Sequence, residues 1–149
     1  MNPIASILPE SRILLGLEAS GKKRLFEEAA QLFAASCAID HTLVFDKLLA
    51  REKLGSTGLG QGIAIPHGRI QGLEQAVGAF IRLAQPIDFD APDGKPVSLV
   101  FILLAPEQAT EDSLQILAAL ATRFAERSFR EKLAAAPDTA AARELFATA

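Results

Sequence analysis

His67 stands between Pro66 and Gly68, at the end of the apolar run Ile63-Ala64-Ile65 and just after the loop Gly55-Ser56-Thr57-Gly58-Leu59-Gly60-Gln61-Gly62. Neutral imidazole is a competent nucleophile, and a phosphoryl group asks little more of its acceptor than orientation and compensating charge. Pro66 fixes φ and removes one N–H, which restrains the backbone leading into His67. Gly68 has no Cβ and lets another molecule come close. Arg51 supplies a fixed positive charge with bidentate geometry. Ser56 and Thr57 carry hydroxyl donors, and the backbone N–H groups of Gly55, Gly58 and Gly60 can form an anion-binding nest. These residue types suit phosphoryl chemistry. Taken alone they leave open an ordinary surface or core histidine.

Other chemistries fail on spacing. Gly58-x-Gly60-x-Gly62 is not the dinucleotide fingerprint, which needs its third glycine one position later and a strand just before it. No Lys-Ser or Lys-Thr pair follows the loop, so it is not a Walker motif. Asp88, Asp90 and Asp93 resemble a calcium loop, but the spacing to Gly94 is off by one, and Leu99 stands where the bidentate Glu belongs. A solvated turn is the better reading. Two histidines and one cysteine, without close spacing, do not make a zinc site. Leu54 occupies the first glycine position of a Gly-x-Ser-x-Gly elbow. No metal and no cofactor is expected.

The elements that must position these residues follow from periodicity. Arg12 to Leu17 reads as a short strand. Ser20 is a candidate cap for a helix whose apolar side is Leu25, Phe26, Ala29, Leu32 and Phe33. Asp40 or Thr42 caps a second helix that carries Val44, Phe45, Leu48 and Leu49 and runs to about Lys53. Ile63-Ala64-Ile65 reads as a strand stopped by Pro66, and Ala76 to Leu83 as another. Ile87 to Pro96 is a loop with a turn at Asp93-Gly94. Ser98 to Leu104 is apolar at nearly every position, as a central strand covered on both faces should be. A long helix follows Pro106, with shorter ones over Ser128 to Ala135 and Thr139 to Ala147. The expected fold is α/β, a single domain over residues 1–149 with a sheet between helical layers.

Composition bounds the function. The chain has 149 residues, half of them hydrophobic, with 15 Lys+Arg against 18 Asp+Glu and a net charge of −3. It lacks the basic footprint that nucleic acid or anionic lipid requires. The longest apolar run, Val97 to Ala105, is about half of a ~20-residue membrane span. No signal peptide is read at the N-terminus. Cys37 has no internal partner, so a reducing, cytoplasmic setting is expected, and it reads as a small buried hydrophobe.

The stretch Arg51-Glu52-Lys53-Leu54-Gly55-Ser56-Thr57-Gly58-Leu59-Gly60-Gln61-Gly62-Ile63-Ala64-Ile65-Pro66-His67-Gly68 closely resembles the phosphorylation-site signature of the mannitol/fructose-type IIA domains of the bacterial phosphotransferase system. The signature runs from an acidic or amide residue, here Glu52, through Leu59-Gly60 to Ile63-Ala64-Ile65-Pro66-His67-Gly68. The wider likeness takes in Ile87 to Val97 and the helix after the central strand. The Gly55-Ser56-Thr57-Gly58 version is most similar to the nitrogen-regulatory branch of that family.

The resemblance implies a mixed β-sheet flanked by helices, with the active histidine at its edge. It implies that His67 accepts a phosphoryl group, through Nε2, from an HPr-like phosphocarrier. Arg51 corresponds to the family's site arginine, and Ser56 and Thr57 to the loop that lines the site. It also implies a regulator that controls target proteins of the nitrogen/potassium type by its phosphorylation state, or else a sugar-specific IIA component that passes phosphoryl to a IIB domain. No nucleic acid or membrane insertion is expected. The acidic balance suits a basic donor surface, and Leu54, Leu59 and Ile70 are candidates for an apolar docking rim. One position departs from the family. Where members commonly carry a second histidine early in the last long helix, alignment on Leu114 and Leu117 places Gln115, which can donate an amide N–H but cannot titrate.

Overall fold

Val97–Pro106 forms β6, the strand on which the sheet is built. Its side chains divide the core in two. Leu99, Phe101 and Leu103 face one cluster, while Val100, Ile102 and Leu104 face the other. This is the alternation of a strand buried on both faces, and it explains the unbroken apolar run. The computed structural model describes residues 3–108 and 111–148.

Around β6 lie β1 (Ile13–Leu17), β2 (Gly58–Gly60), β3 (Ile63–Ala64), β4 (His67–Ile70) and β5 (Val77–Ile87). The order is β1-β5-β6-β3-β2, with β4 also on β6. β5 runs antiparallel to β6, whereas β3 and β4 run parallel to it. The sheet is therefore mixed, as expected. Helices α1 (Lys22–Cys37) and α2 (His41–Leu54) cover one face, through Leu25, Phe26, Phe33, Val44 and Leu48. Helices α3 (Glu111–Ala125), α4 (Arg127–Ala135) and α5 (Thr139–Ala147) cover the other. Phe146 of α5 meets Phe80, Phe101, Phe124 and Phe129 edge to face, at 5.1, 5.5, 6.0 and 5.3 Å between ring centroids. Such pairs add about 0.5–1.5 kcal/mol each beyond the area they bury.

Three local expectations are corrected. Pro66 interrupts the strand but does not stop it. Ile63 stands opposite Leu99 and His67 opposite Leu103, the same offset, and the Pro66 carbonyl still accepts the Leu103 N–H at 3.0 Å. Proline lacks a donor but keeps its acceptor, so half of the pairing survives. The glycine-rich segment contains a strand, β2, instead of being loop throughout. A Cβ on Gly58 would meet the Ala91 Cβ at 2.9 Å, so glycine there admits the 87–96 loop onto β2. Finally, α1 starts after Gly21, and neither Ser20 nor Asp40 supplies a side-chain cap; Asp138 does so for α5, accepting the Ala141 N–H at 2.8 Å.

Candidate functional site

Ile63, Ile65 and His67 alternate onto the α3 face of the sheet, the first two buried and the third half-buried. His67 opens β4 just past the point where β2 ceases to cover the edge. Its Nδ1 lies 2.8 Å from the carbonyl oxygen of Ile65. A carbonyl can only accept, so Nδ1 carries a proton, and in the neutral ring Nε2 keeps its lone pair. Pro66 sets the geometry of this two-residue link through its fixed φ.

Gly68 has a different use from the one expected. A Cβ there would lie 3.3 Å from the Lys47 Cβ, so what it admits is α2. This close packing brings the last turns of α2 beside His67. Arg51 is half-buried, and its Nη1 donates to the Gly55 carbonyl at 2.8 Å. A cation in the last turn also complements the helix dipole.

His67, Arg51 and Leu117 line two adjoining hollows. The larger, about 470 Å³, also receives Lys47, Leu54, Gly68, Arg69, Ser113 and Leu114. The smaller, about 270 Å³, receives Ser56, Thr57, Leu59 and Ala121. The structure thus brings together His67, Arg51, Ser56 and Thr57. It does not bring Gln115 to them: Gln115 lines neither hollow but a third, with Glu74 and Asp112, which meets the larger one at Pro106 and Ser113. On α3 the residues turned toward His67 are Ser113, Leu114 and Leu117. Three and four residues apart, 114, 113 and 117 share a helix face that 115 does not.

The two hydroxyls brace the loop. The buried Thr57 hydroxyl donates to Glu52 Oε1 at 2.6 Å, and its N–H to Oε2 at 3.1 Å. The Ser56 hydroxyl donates to the Phe89 carbonyl and accepts the Gly58 N–H at 3.0 Å. The Gly55 N–H is held by the Glu52 carbonyl. Of the expected anion nest, the Gly55 and Gly58 donors are therefore already engaged.

Sequence reasoning gave Glu52 no role and missed Lys22 altogether. The Glu52 side chain is 4% exposed and pairs with Lys22 Nζ at 2.9 Å. Lys22 also reaches Asp90 at 3.4 Å and sits 5.0 Å above the Phe89 ring. The acidic first position of the signature was a sign of Glu52, but nothing in the spacing pointed to a partner in α1.

The rim is apolar. Leu54 and Leu59 are exposed, at 85% and 48%, and Leu114 joins them at 64%. Ile70, the third expected member, is instead 1% exposed, because it faces inward against the α1–α2 cluster. The Asp loop is a turn in which the Asp93 carboxylate accepts the Gln61 and Lys95 N–H groups at 2.8 and 3.1 Å. Among the described residues, no helix is long and apolar enough to cross a membrane.

The chain is similar to known proteins in sequence and fold. Residues 6–149 match the family model described as phosphoenolpyruvate-dependent sugar phosphotransferase system, EIIA 2. The chain is 44% identical over 135 residues to a nitrogen regulatory protein of Pseudomonas aeruginosa, covering 90% of this chain and 88% of that one. It is similar to the crystal structure of nitrogen regulatory protein IIA-Ntr from Neisseria meningitidis, with a TM-score of 0.91 and 55% identity over 96% of this chain and 98% of the other. The mannitol IIA of Escherichia coli shares the fold, at a TM-score of 0.78 and 23% identity over 93% and 97% of the two chains. The chain belongs to the EIIA 2 family of the phosphoenolpyruvate-dependent sugar phosphotransferase system.

Proposed function

We propose that this protein is a regulatory phosphocarrier. His67 takes a phosphoryl group from phosphohistidine on an HPr-like carrier, and the phosphorylation state controls target proteins in nitrogen or potassium metabolism. The observation that carries the reading is the Nδ1 hydrogen bond to Ile65, which leaves a lone pair on Nε2 in a cleft walled by Arg51 and Lys47.

The step balances without an added proton. The donor's P–N bond breaks as the P–Nε2 bond forms, its electron pair stays on the donor ring nitrogen, and the proton stays on Nδ1, donated to the Ile65 carbonyl. Positive charge that develops on the ring strengthens that hydrogen bond. Arg51 offsets the charge of the phosphoryl oxygens. The phosphoryl oxygens of the product carry about two negative charges, one of them offset by the imidazolium ring, at a surface rimmed by Leu54, Leu59 and Leu114, which changes what can dock there. The similarity to nitrogen regulatory proteins supports regulation over sugar uptake.

Incubation with phosphoenolpyruvate, enzyme I and the HPr-like carrier tests the reading. The expected product is an acid-labile phosphoprotein, absent with His67→Ala. Equal labelling of His67→Ala would remove His67 from the role.

A further inference from the structure

On the loop side of His67 most donors are spent. The Ser56 hydroxyl donates to the Phe89 carbonyl and the Thr57 hydroxyl to Glu52. The N–H groups of Gly55, Thr57 and Gly58 are held by Glu52 and Ser56. From α3 the larger hollow receives Ser113, Leu114 and Leu117, none of them charged. Arg51 already gives Nη1 to the Gly55 carbonyl. A phosphoryl group presents three acceptor oxygens that share about two negative charges. Arg51, even if bidentate, leaves one of them without a partner.

Helix α2 carries a second cation on the same face. Lys47, Ala50, Arg51 and Leu54 line the larger hollow together, and their spacing is that of one helix face. Lys47 stands one turn before Arg51, about 6 Å along the axis. Its Cβ lies 3.3 Å from the place a Cβ on Gly68 would take, so its stem starts over the bare backbone of the residue next to His67. No carboxylate lines the hollow, and among the described residues Lys47 enters no ion pair. Like charges four residues apart on a helix repel. An anion between Lys47 and Arg51 relieves that repulsion.

We propose that Lys47 is the second cation of the phosphoryl site, its ammonium binding an oxygen of the phosphoryl group on His67 Nε2 from the side opposite the loop. This deepens the reading of His67 as phosphoryl acceptor and rests on it. A lysine suits the role, because its flexible stem lets a compact charge follow the group as it arrives. A cation at this distance favours the fully ionised phosphoryl group, which then gives up its last proton at lower pH than beside Arg51 alone. Arg69 is the other cation lining the hollow. It lies two residues past His67 on β4, opposite Ala105, about 7 Å along the strand.

The full chain, phosphorylated with phosphoramidate, tests this by ³¹P NMR of the phosphohistidine signal against pH. Lys47→Met keeps the stem over Gly68 and removes the charge. Its titration midpoint is expected about one pH unit above that of the unsubstituted protein. Lys47→Arg, which restores the charge, is expected to return most of the difference, and Arg69→Met to move the midpoint by less than half as much. An unmoved midpoint in Lys47→Met would overturn the proposal. A midpoint as high in Lys47→Arg as in Lys47→Met would make the effect one of packing, and an equal rise in Arg69→Met would make it the field of the whole wall; either ends the assignment to Lys47. Phosphorus on His67 with an unmoved midpoint would leave the acceptor reading standing and remove Lys47 alone. Absence of phosphorus from His67 would end both.

Discussion

Lys22 of α1 and Glu52 of α2 meet at 2.9 Å beneath the loop that shapes one side of the His67 cleft. Glu52 accepts from Lys22 and twice from Thr57, so one buried carboxylate ties both helices to the loop. Removing it strands the Thr57 donors and leaves Lys22 to the exposed Asp90 at 3.4 Å. Glu52→Ala is expected to cost about 3 kcal/mol, a fall in Tm on the order of 10 °C. Glu52→Gln keeps an oxygen for Thr57 and should cost less. Thermal melts of the two variants check this, and an unchanged Tm in Glu52→Ala would contradict it.

Arg51 is the cation common to both hollows at His67. Among the described residues its side chain is hydrogen-bonded to the loop at the Gly55 carbonyl alone, so its loss should spare the fold. Arg51→Ala is expected to slow phosphorylation by the HPr-like carrier about 10²-fold, as loss of one charge-stabilising donor does. Single-turnover labelling reads the rate, and a wild-type rate would remove Arg51 from the transfer.

Gln115 lines the hollow with Glu74 and Asp112 and not the one with His67, whereas Ser113 stands between the two and lines both. Gln115→Ala is therefore expected to change the labelling rate by less than about twofold, as exposed substitutions usually do. Ser113→His places an imidazole on the side of α3 that lines the His67 hollow and is expected to alter the lifetime of the phosphohistidine. The reverse pattern would place Gln115 at the phosphoryl group after all.

Asp93 joins the 87–96 loop to the turn after β2. The N–H groups of Gln61 and Lys95 hold its carboxyl below the ordinary value of 3.8. A carboxyl depressed by folding stabilises the fold fully above its unfolded value and loses that contribution as pH falls through the lower folded value. The Gln61 and Lys95 amide resonances should shift together in acid, with a midpoint below 3.8. Asp93→Asn should abolish this transition, and a midpoint at or above 3.8 would break the link.

What was legible in the sequence depended on the kind of signal. β6 and the helices rest on hydrophobic period, and period survives tertiary context; the expected Ser128 and Thr139 helices lie within a residue of α4 and α5. β2 was hidden because Gly58 answers to a neighbour, Ala91, that local rules do not contain. Pro66 was over-read because a missing donor was taken as a missing strand. The sequence brought out His67, Arg51, Ser56 and Thr57 because they lie in one short segment. It missed Lys22 and Ser113 because those reach the site from distant helices. A contact between α1 and α2 leaves no mark in either helix's period. Alignment on Leu114 and Leu117 found the right helix, but the side of it facing His67 is a matter of helix rotation.

The most direct measurement is the site of the phosphoryl group itself. Long-range ¹H–¹⁵N correlation of the imidazole ring, with ³¹P detection of the carrier-phosphorylated protein, distinguishes the two ring nitrogens of His67. The expected result is phosphorus on Nε2, with the Nδ1 proton still bonded to the Ile65 carbonyl. Phosphorus on Nδ1, or on any residue other than His67, would contradict it.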